Sequence, residues 1–306
     1  MRLAFIQTLI QLAKKDKRIM LLTGDLGFTV LEQFAQAFPD RFINAGVAEA
    51  NMMGVAAGLA HEGFIPFVYS IAPFVTLRPL EQIRNDVCFP NLPVKIIGVG
   101  GGLAYGHAGS THHVLEDIAI MRSLANMTVV VPADPVETHY LVQAAVKHRG
   151  PMYIRLGKAG EPTVHTRRAN FRIGRGQTLV FGSKVAILAC GSIVGTAMEV
   201  RNLLLKQKIN PTIVSMHTIK PIDTKLIQKL AKTHDFLITL EEHSTIAGLG
   251  SAVAEVVSHD KNTSFHCFGI EDCYVTRVGS QKHLHNTHGL SAKKMVKRIM
   301  QLGELI

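Results

Sequence analysis

Hydrophobic positions along the chain follow two rhythms, and their alternation outlines the architecture. Residues 2–16 space their apolar side chains at helical intervals, interrupted by Gln7, Gln11, Lys14 and Lys15, which predicts an amphipathic helix. Residues 18–23 form a short apolar run that reads as a buried strand, and Gly24-Asp25-Leu26-Gly27 follows as its end loop. The same reading predicts helices near 30–37 and over 47–60, the latter rich in Ala, Met and Gly and suited to tight packing. Strands are expected at 64–69, 94–99, 127–131 and 152–156, with helices at 76–88, 114–124 and 135–148. Residues 157–183 change character: Gly157, Gly160, Pro162, Gly174, Gly176 and Gly182 are mixed with basic residues, as in a linker. A second set follows, with strands at 184–189, 211–215, 236–240 and 264–268 and helices at 195–207, 223–232, 248–258 and about 291–302. The pattern predicts an α/β protein of two domains, 1–157 and 184–306, joined by a linker at 158–183, each a mostly parallel sheet flanked by helices. Ligands in such sheets sit beyond the carboxyl ends of the strands, so the loops to inspect are 24–29, 44–51, 69–78, 99–113 and 155–158.

Composition narrows the function classes. The 306 residues are 47% hydrophobic and 18% charged, ordinary for a chain with buried cores, and two domains suit the length. No apolar run approaches the ~20 residues of a membrane helix, and Leu3-Ala4-Phe5-Ile6 is too short for a signal core. A soluble, cytoplasmic protein is expected, with no membrane association. The net charge of +10 is scattered, in short pairs such as Lys14-Lys15, Arg167-Arg168 and Lys293-Lys294, and Trp is absent. Base-stacking platforms and nucleic-acid binding are therefore not expected, whereas phosphorylated small molecules remain compatible with the charge. Cys88, Cys190, Cys267 and Cys273 form no CxxC pair and read as buried free thiols.

Three stretches carry candidate chemistry. Gly98-Val99-Gly100-Gly101-Gly102 fails the dinucleotide fingerprint, because the third glycine would fall on Leu103 or Tyr105, and no Walker A pattern occurs. A flexible or closely packed active-site loop suits these glycines better. Thr111-His112-His113 precedes Glu116-Asp117; adjacent histidines point different ways and make a poor metal pair, so a helix start and a catalytic role both stay open. In Asn44-Ala45-Gly46-Val47-Ala48-Glu49-Ala50-Asn51 a single carboxylate stands among small residues, readable as a helix-entry glutamate or as a catalytic group.

The order of motifs decides between these readings. GDLG (24–27), NAGVAEANMMGVAAGLA (44–60), RPLEQIRND (78–86), GHAGSTHHVLEDIAIMR (106–122), VVVPADPVET (129–138), GPMYIRLGK (150–158) and LEEHSTIAGLGSAVAE (240–255) span both expected domains. Together they resemble the C-terminal half of transketolase, as found in split, two-subunit transketolases. The resemblance implies a thiamine-diphosphate-enzyme pyrimidine domain followed by a transketolase C-terminal domain. It also implies a transferase of carbohydrate metabolism that moves a two-carbon ketol (glycolaldehyde) unit between sugar phosphates. Glu49 matches the family's cofactor-activating glutamate, which bonds the pyrimidine nitrogen N1′ and promotes the imine form of the cofactor's amino group, the base that takes the C2 proton. Asp25, Phe74, Tyr69 and Arg78 fall among the cofactor-binding positions, with Phe74 and Tyr69 as an aromatic wall. His112 matches a histidine placed to stabilise or protonate the substrate oxygen. Lys158 falls where the family has a phosphate-binding arginine, and Arg155 lies nearby; both are expected to meet substrate phosphate.

The resemblance also has gaps. A family aspartate that recognises a substrate hydroxyl aligns with Ala108, and a family histidine aligns with Gly100. Both leave the sugar open. The family binds Mg²⁺ and the diphosphate through a Gly-Asp-Gly…Asn motif on an N-terminal domain. This sequence contains no Gly-Asp-Gly, since Gly24-Asp25 is followed by Leu26. No metal ligands are therefore expected on this chain. An N-terminal subunit with that motif is expected as partner, in an assembly of two of each chain. Three readings compete: a β-type subunit for 2-oxo acid decarboxylation or a deoxyxylulose-phosphate synthase-like reaction, a non-catalytic stabilising subunit, and a nicotinamide-binding module.

Overall fold

A computed structural model describes residues 1–165, 171–259 and 263–302. Arg167 and Arg168 lie outside the described residues. The first part of the chain runs α1 (Arg2–Ala13), β1 (Ile19–Thr23), α2 (Glu32–Ala37), β2 (Phe42–Asn44), α3 (Glu49–His61), β3 (Ile65–Ile71), α4 (Ala72–Leu77) and α5 (Leu80–Gln82), which continues as a π-helical turn over Ile83–Cys88. It goes on through β4 (Lys95–Val99), α6 (Asp117–Ser123), β5 (Thr128–Val130), α7 (Pro135–Lys147) and β6 (Met152–Leu156). The second part contains β7 (Gln177–Val180), β8 (Lys184–Ala189), α8 (Val194–Leu205), β9 (Thr212–Ser215), β10 (Thr218–Lys220), α9 (Thr224–Thr233), β11 (His234–Ser244), α10 (Leu249–Val257), β12 (Ser264–Ile270), α11 (Gln281–Thr287) and α12 (Ala292–Leu302). No helix among the described residues is long and apolar enough to cross a membrane.

Two sheets organise these elements. The first has strand order β10-β5-β6-β4-β3-β1-β2 and the second β12-β11-β8-β9-β7. All pairings are parallel except those of the edge strands β10 and β7. Buried central strands such as Ile19–Thr23, Lys95–Val99 and Met152–Leu156 are covered on both faces, which is why they read as continuous apolar runs. The sequence pattern located these strands and most helices. It joined α4 to the α5 turn as one helix over 76–88, although Pro79 separates them. It missed β2, β10 and α11, which are short and weakly patterned. β7 lies inside the stretch read as linker; its half-buried residues pair at a sheet edge and lack a strong apolar signature.

The two parts of the chain are tied together. β10 leaves the second part and pairs antiparallel with β5 of the first sheet. Beside it, Asp134 caps α7 by accepting from Glu137 N at 2.8 Å, and its other oxygen accepts from the backbone nitrogens of Val164 and His165, each at 2.8 Å. The His165 ring stands between Asp134 and Glu137, at 3.1 and 3.3 Å. Ser215 of β9 donates its hydroxyl to Glu137 at 3.1 Å. Burial pushes Glu137 up to about 7 despite the nearby His165. Burial alone would lower His165, but its bond to Asp134 and the Glu137 charge raise it. The cysteines are free thiols; Cys88 and Cys190 are buried, but Cys273 is exposed, against the expectation of burial.

The clasp has a pH signature. Glu137 and His165 both have folded pKa values above their unfolded ones, so both take up protons on folding. Their contribution is fully present below the unfolded values and is lost as pH rises through the folded ones, about 7 for Glu137. Urea stability of the unaltered chain is expected to decline from about pH 4.5 toward pH 7, the interval over which Glu137 would ionise in the unfolded but not the folded chain, and Glu137→Gln is expected to flatten that decline. An unchanged slope in the variant would remove this role.

Candidate active site

The carboxyl ends of β1, β2, β3, β4 and β6 converge, and strand register brings their loops together. Thr23 pairs with both Asn44 and Tyr69, Ser70 with Gly98, and Gly98 with Arg155. Glu49 opens α3 immediately after the β2 loop and is 1% exposed. Its Oε1 accepts the Ser70 hydroxyl at 3.0 Å and its Oε2 accepts from Arg78 Nη1 at 2.7 Å. Gly24 lies directly against it: a Cβ there would stand 3.2 Å from Glu49 Oε1. The neighbouring Asp25, exposed and at φ 55°, accepts from Asn44 Nδ2 at 2.9 Å, while Asn44 Oδ1 accepts from the backbone nitrogens of Asp25 and Gly46. The β1 and β2 loops are thus locked beside the carboxylate.

Aromatic and basic groups extend the site. Half-buried Phe74, on α4, lies under the Arg78 guanidinium at 4.0 Å and meets the His112 ring edge-on at 5.2 Å. The Thr111 hydroxyl stands 2.9 Å from His112 Nδ1. Tyr105 faces His112 at 6.3 Å between ring centroids, and Lys158 Nζ lies 4.8 Å over the Tyr105 ring. One chain of contacts therefore runs Glu49–Arg78–Phe74–His112–Tyr105–Lys158. Sequence reasoning missed Ser70, in plain view on β3, and Tyr105, which it used only as a failed glycine position.

Two expected site residues do other work. Tyr69 is 1% exposed and stacks on Phe5 at 5.8 Å, in the core that also holds Phe67. Alternation along β3 sends Ser70 toward Glu49 and Tyr69 to the opposite face, so Tyr69 is not part of a wall with Phe74. Arg155 is 5% exposed and donates from Nε to Asp117 Oδ2 at 2.8 Å and from Nη2 to the carbonyls of Val114 and Glu242. Burial opposes its charge, but Asp117 holds it firmly ionised. Arg155 is a buried strut rather than a free phosphate ligand; Lys158 alone of the expected pair is exposed.

The glycine loop is packed by these same groups. A Cβ at Gly98 would stand 2.5 Å from the Tyr153 hydroxyl, at Gly101 2.5 Å from Arg155 Nε, and at Gly102 2.7 Å from carboxyl and methylene carbons of Glu242. Glu242, on β11 of the second part, accepts from Leu103 N at 2.7 Å and from Gln281 Nε2, and is held below its usual range because His285, Gln281 and Arg155 outweigh its burial. Close packing, not dinucleotide binding, accounts for the glycines. His113, next to His112, is buried, and neither of its ring nitrogens has a hydrogen-bond partner among the described residues. Among the described residues, no group of three or more His, Cys, Asp or Glu is arranged to hold a metal ion.

This site and fold belong to a known class. Residues 1–161 match the transketolase pyrimidine-binding domain and residues 174–295 the transketolase C-terminal domain. The chain belongs to the transketolase family and corresponds to its C-terminal section. It is 41% identical to a transketolase C-terminal section of Methanocaldococcus jannaschii, covering 98% of this chain and 95% of the relative. It is 36% identical to one subunit of the apulose-4-phosphate transketolase of Phocaeicola vulgatus, covering 98% and 96%. Its fold superposes on a split-gene transketolase solved as an inactive β4 tetramer, with a TM-score of 0.88, 39% identity and coverage of 97% and 96%.

The Arg155–Asp117 pair gives a direct test. Removing one partner of a buried pair leaves the other unsatisfied, which costs ~3–5 kcal/mol. Arg155→Met is expected to lose stability of that order in urea unfolding. A loss below about 1 kcal/mol would return Arg155 to the category of dispensable surface charges.

Proposed function

We propose that this chain is the C-terminal subunit of a thiamine-diphosphate-dependent transketolase, transferring a two-carbon ketol unit between sugar phosphates together with an N-terminal subunit. The buried Glu49 carboxylate, aimed by Ser70 and joined through Arg78 to the Phe74 ring, carries this reading. An aminopyrimidine needs a carboxylate for its ring nitrogen and an aromatic surface for its ring, and Glu49 and Phe74 supply both chemistries. The cofactor, when bound, supplies an acidic C2 position that becomes the nucleophile toward the ketose carbonyl. Glu49 would hold the proton at the pyrimidine nitrogen. Ser70 fixes one carboxylate oxygen in direction, and Arg78 balances its charge. Half-buried His112, held at Nδ1 by Thr111, would donate to or accept from the substrate oxygen through its other nitrogen. Lys158, with its ammonium exposed beyond Tyr105, would meet the substrate phosphate.

The second subunit follows from what this chain lacks and what it displays. Mg²⁺ and the diphosphate would be held by a Gly-Asp-Gly…Asn motif, which these 306 residues do not contain and which we assign to the N-terminal subunit. Helix α3, which begins with Glu49, presents Ala50, Asn51, Gly54, Val55 and Gly58 outward, and among the described residues nothing stands within 4 Å of a Cβ at Gly54 or Gly58. Phe28, Val47 and Leu77 are exposed as well. A backbone brought this near the surface suits close packing of a partner beside the cofactor. The inactive β4 relative supports dependence on that partner. An assembly of two of each chain, working in the cytoplasm, is the form we assign.

Two substitutions probe the reading in the assembled enzyme with Mg²⁺. Glu49→Gln is expected to slow exchange of the cofactor C2 proton and ketol transfer by at least ~10²-fold while assembly persists. Transfer at the unaltered rate would remove Glu49 from the mechanism. Gly54→Leu points into open space, so the single chain is expected to stay folded while its association with the N-terminal subunit weakens by at least about tenfold in sedimentation. Undiminished association would relocate the interface.

A further inference from the structure

The loop between β4 and α6 differs from the family pattern at two positions, and the structure explains one by a third residue. Gly100, at φ 76°, would carry a Cβ 2.0 Å from Cε2 and 2.1 Å from Cδ2 of Tyr105. The Tyr105 ring therefore lies where a side chain on residue 100 would project. A histidine cannot stand on residue 100 unless the ring leaves. Ala108, the other departure, ends the 3₁₀ turn Gly106–Ala108 that directly follows Tyr105 and offers no polar atom on its side chain. The sugar-facing polar groups that the family places at 100 and 108 are thus both missing, and one phenol occupies the space of the first.

The surroundings make that phenol a site component. Its half-buried ring stands 6.3 Å from the His112 ring, and Lys158 caps it with an ammonium 4.8 Å from the centroid. Arg2 donates from Nε to the Lys158 carbonyl at 2.6 Å, which anchors the backbone that carries the lysine. Burial raises the phenol above its ordinary range even though Arg2 opposes the shift, so Tyr105 stays protonated and can donate. A protonated phenol donates one hydrogen bond and accepts others, as a sugar hydroxyl requires.

We propose that Tyr105 is the specificity-determining residue of the sugar pocket, its ring replacing a side chain at residue 100 and its hydroxyl bonding a hydroxyl of a ketose phosphate whose phosphate meets Lys158. The proposal rests on the transketolase reading above and goes beyond it by naming the group that selects the sugar. Ketoses whose hydroxyl reaches the phenol beside His112 are favoured. Ketoses that rely on an imidazole at residue 100 or a carboxylate at residue 108 are handled poorly.

The test uses the assembled enzyme with partner subunit, cofactor and Mg²⁺. Xylulose 5-phosphate, fructose 6-phosphate and 4-deoxyfructose 6-phosphate serve as donors, and exchange of the cofactor C2 proton is followed as a sugar-independent signal. Tyr105→Phe is expected to lower kcat/KM on the order of 10- to 100-fold for the best hydroxylated donor and far less for the deoxy donor, with C2 exchange falling much less than transfer. Tyr105→Ala is expected to lower transfer at least as far and to change the donor ranking. An unchanged ranking in both Tyr105→Phe and Tyr105→Ala overturns the proposal alone. So does a parallel fall of exchange and transfer for every donor, which would make Tyr105 a structural prop. Absence of transfer from any ketose phosphate by the unaltered assembly overturns the transketolase reading and this proposal with it.

Discussion

The Arg155 guanidinium is the junction on which the site depends. It stands at the carboxyl end of β6, pairs with Asp117 at the start of α6, and bonds the carbonyls of Val114 and Glu242. Asp117 also accepts the Tyr153 hydroxyl at 2.5 Å, and Tyr153 and Arg155 press on Gly98 and Gly101 respectively. One buried ion pair thereby sets the path of β4, the glycine loop and the approach to His112. A buried pair is not a source of large net stability, because desolvation of both ions offsets most of their attraction. Its value here is geometric: a hydrophobic pair could fill the volume but could not bond carbonyls from two different parts of the chain.

Through Glu242 the same junction ties the second part of the chain to the loop that carries Tyr105. Glu241 and Glu242 are adjacent on β11, and strand alternation sends them to opposite faces. Glu241 accepts from Leu249 N and Gly250 N and caps α10. Glu242 accepts from Leu103 N and fixes the loop that carries Tyr105. The clasp of Asp134, Glu137 and His165 and the added strand β10 fasten the same two parts at a second place. Two such attachments resist rotation where a single one would permit it.

Much of this was legible in the sequence, for a physical reason. Strands covered on both faces are largely apolar, so 18–23, 94–99 and 152–156 stood out without any neighbour's help. Glu49 and His112 were singled out through motif order, and the structure sets Glu49 against Arg78 and His112 against Phe74. What was not legible depended on partners far apart in the chain. Arg155 looks like a phosphate ligand until Asp117, Val114 and Glu242 are seen around it. Tyr69 and Ser70 are adjacent letters, and which one faces Glu49 is decided by strand phase, which an apolar run buried on both faces does not reveal. β10 and β7 are edge strands whose pairing is chosen by tertiary context rather than by local propensity.

The glycine loop illustrates the last step from packing to chemistry. Its positions exclude side chains for four distinct reasons, namely Tyr153, Tyr105, Arg155 and Glu242 in contact with Gly98, Gly100, Gly101 and Gly102. Three of these contacts belong to the buried junction and leave no freedom for substitution. The fourth, Tyr105 on Gly100, is half-buried and lies on the side of His112 and Lys158. Exchange at residue 105 therefore leaves the ion pair undisturbed, whereas exchange at 98, 101 or 102 does not. Under the transketolase reading, sugar preference can change at such a position, because the change is confined to the open edge of a loop whose other side is locked.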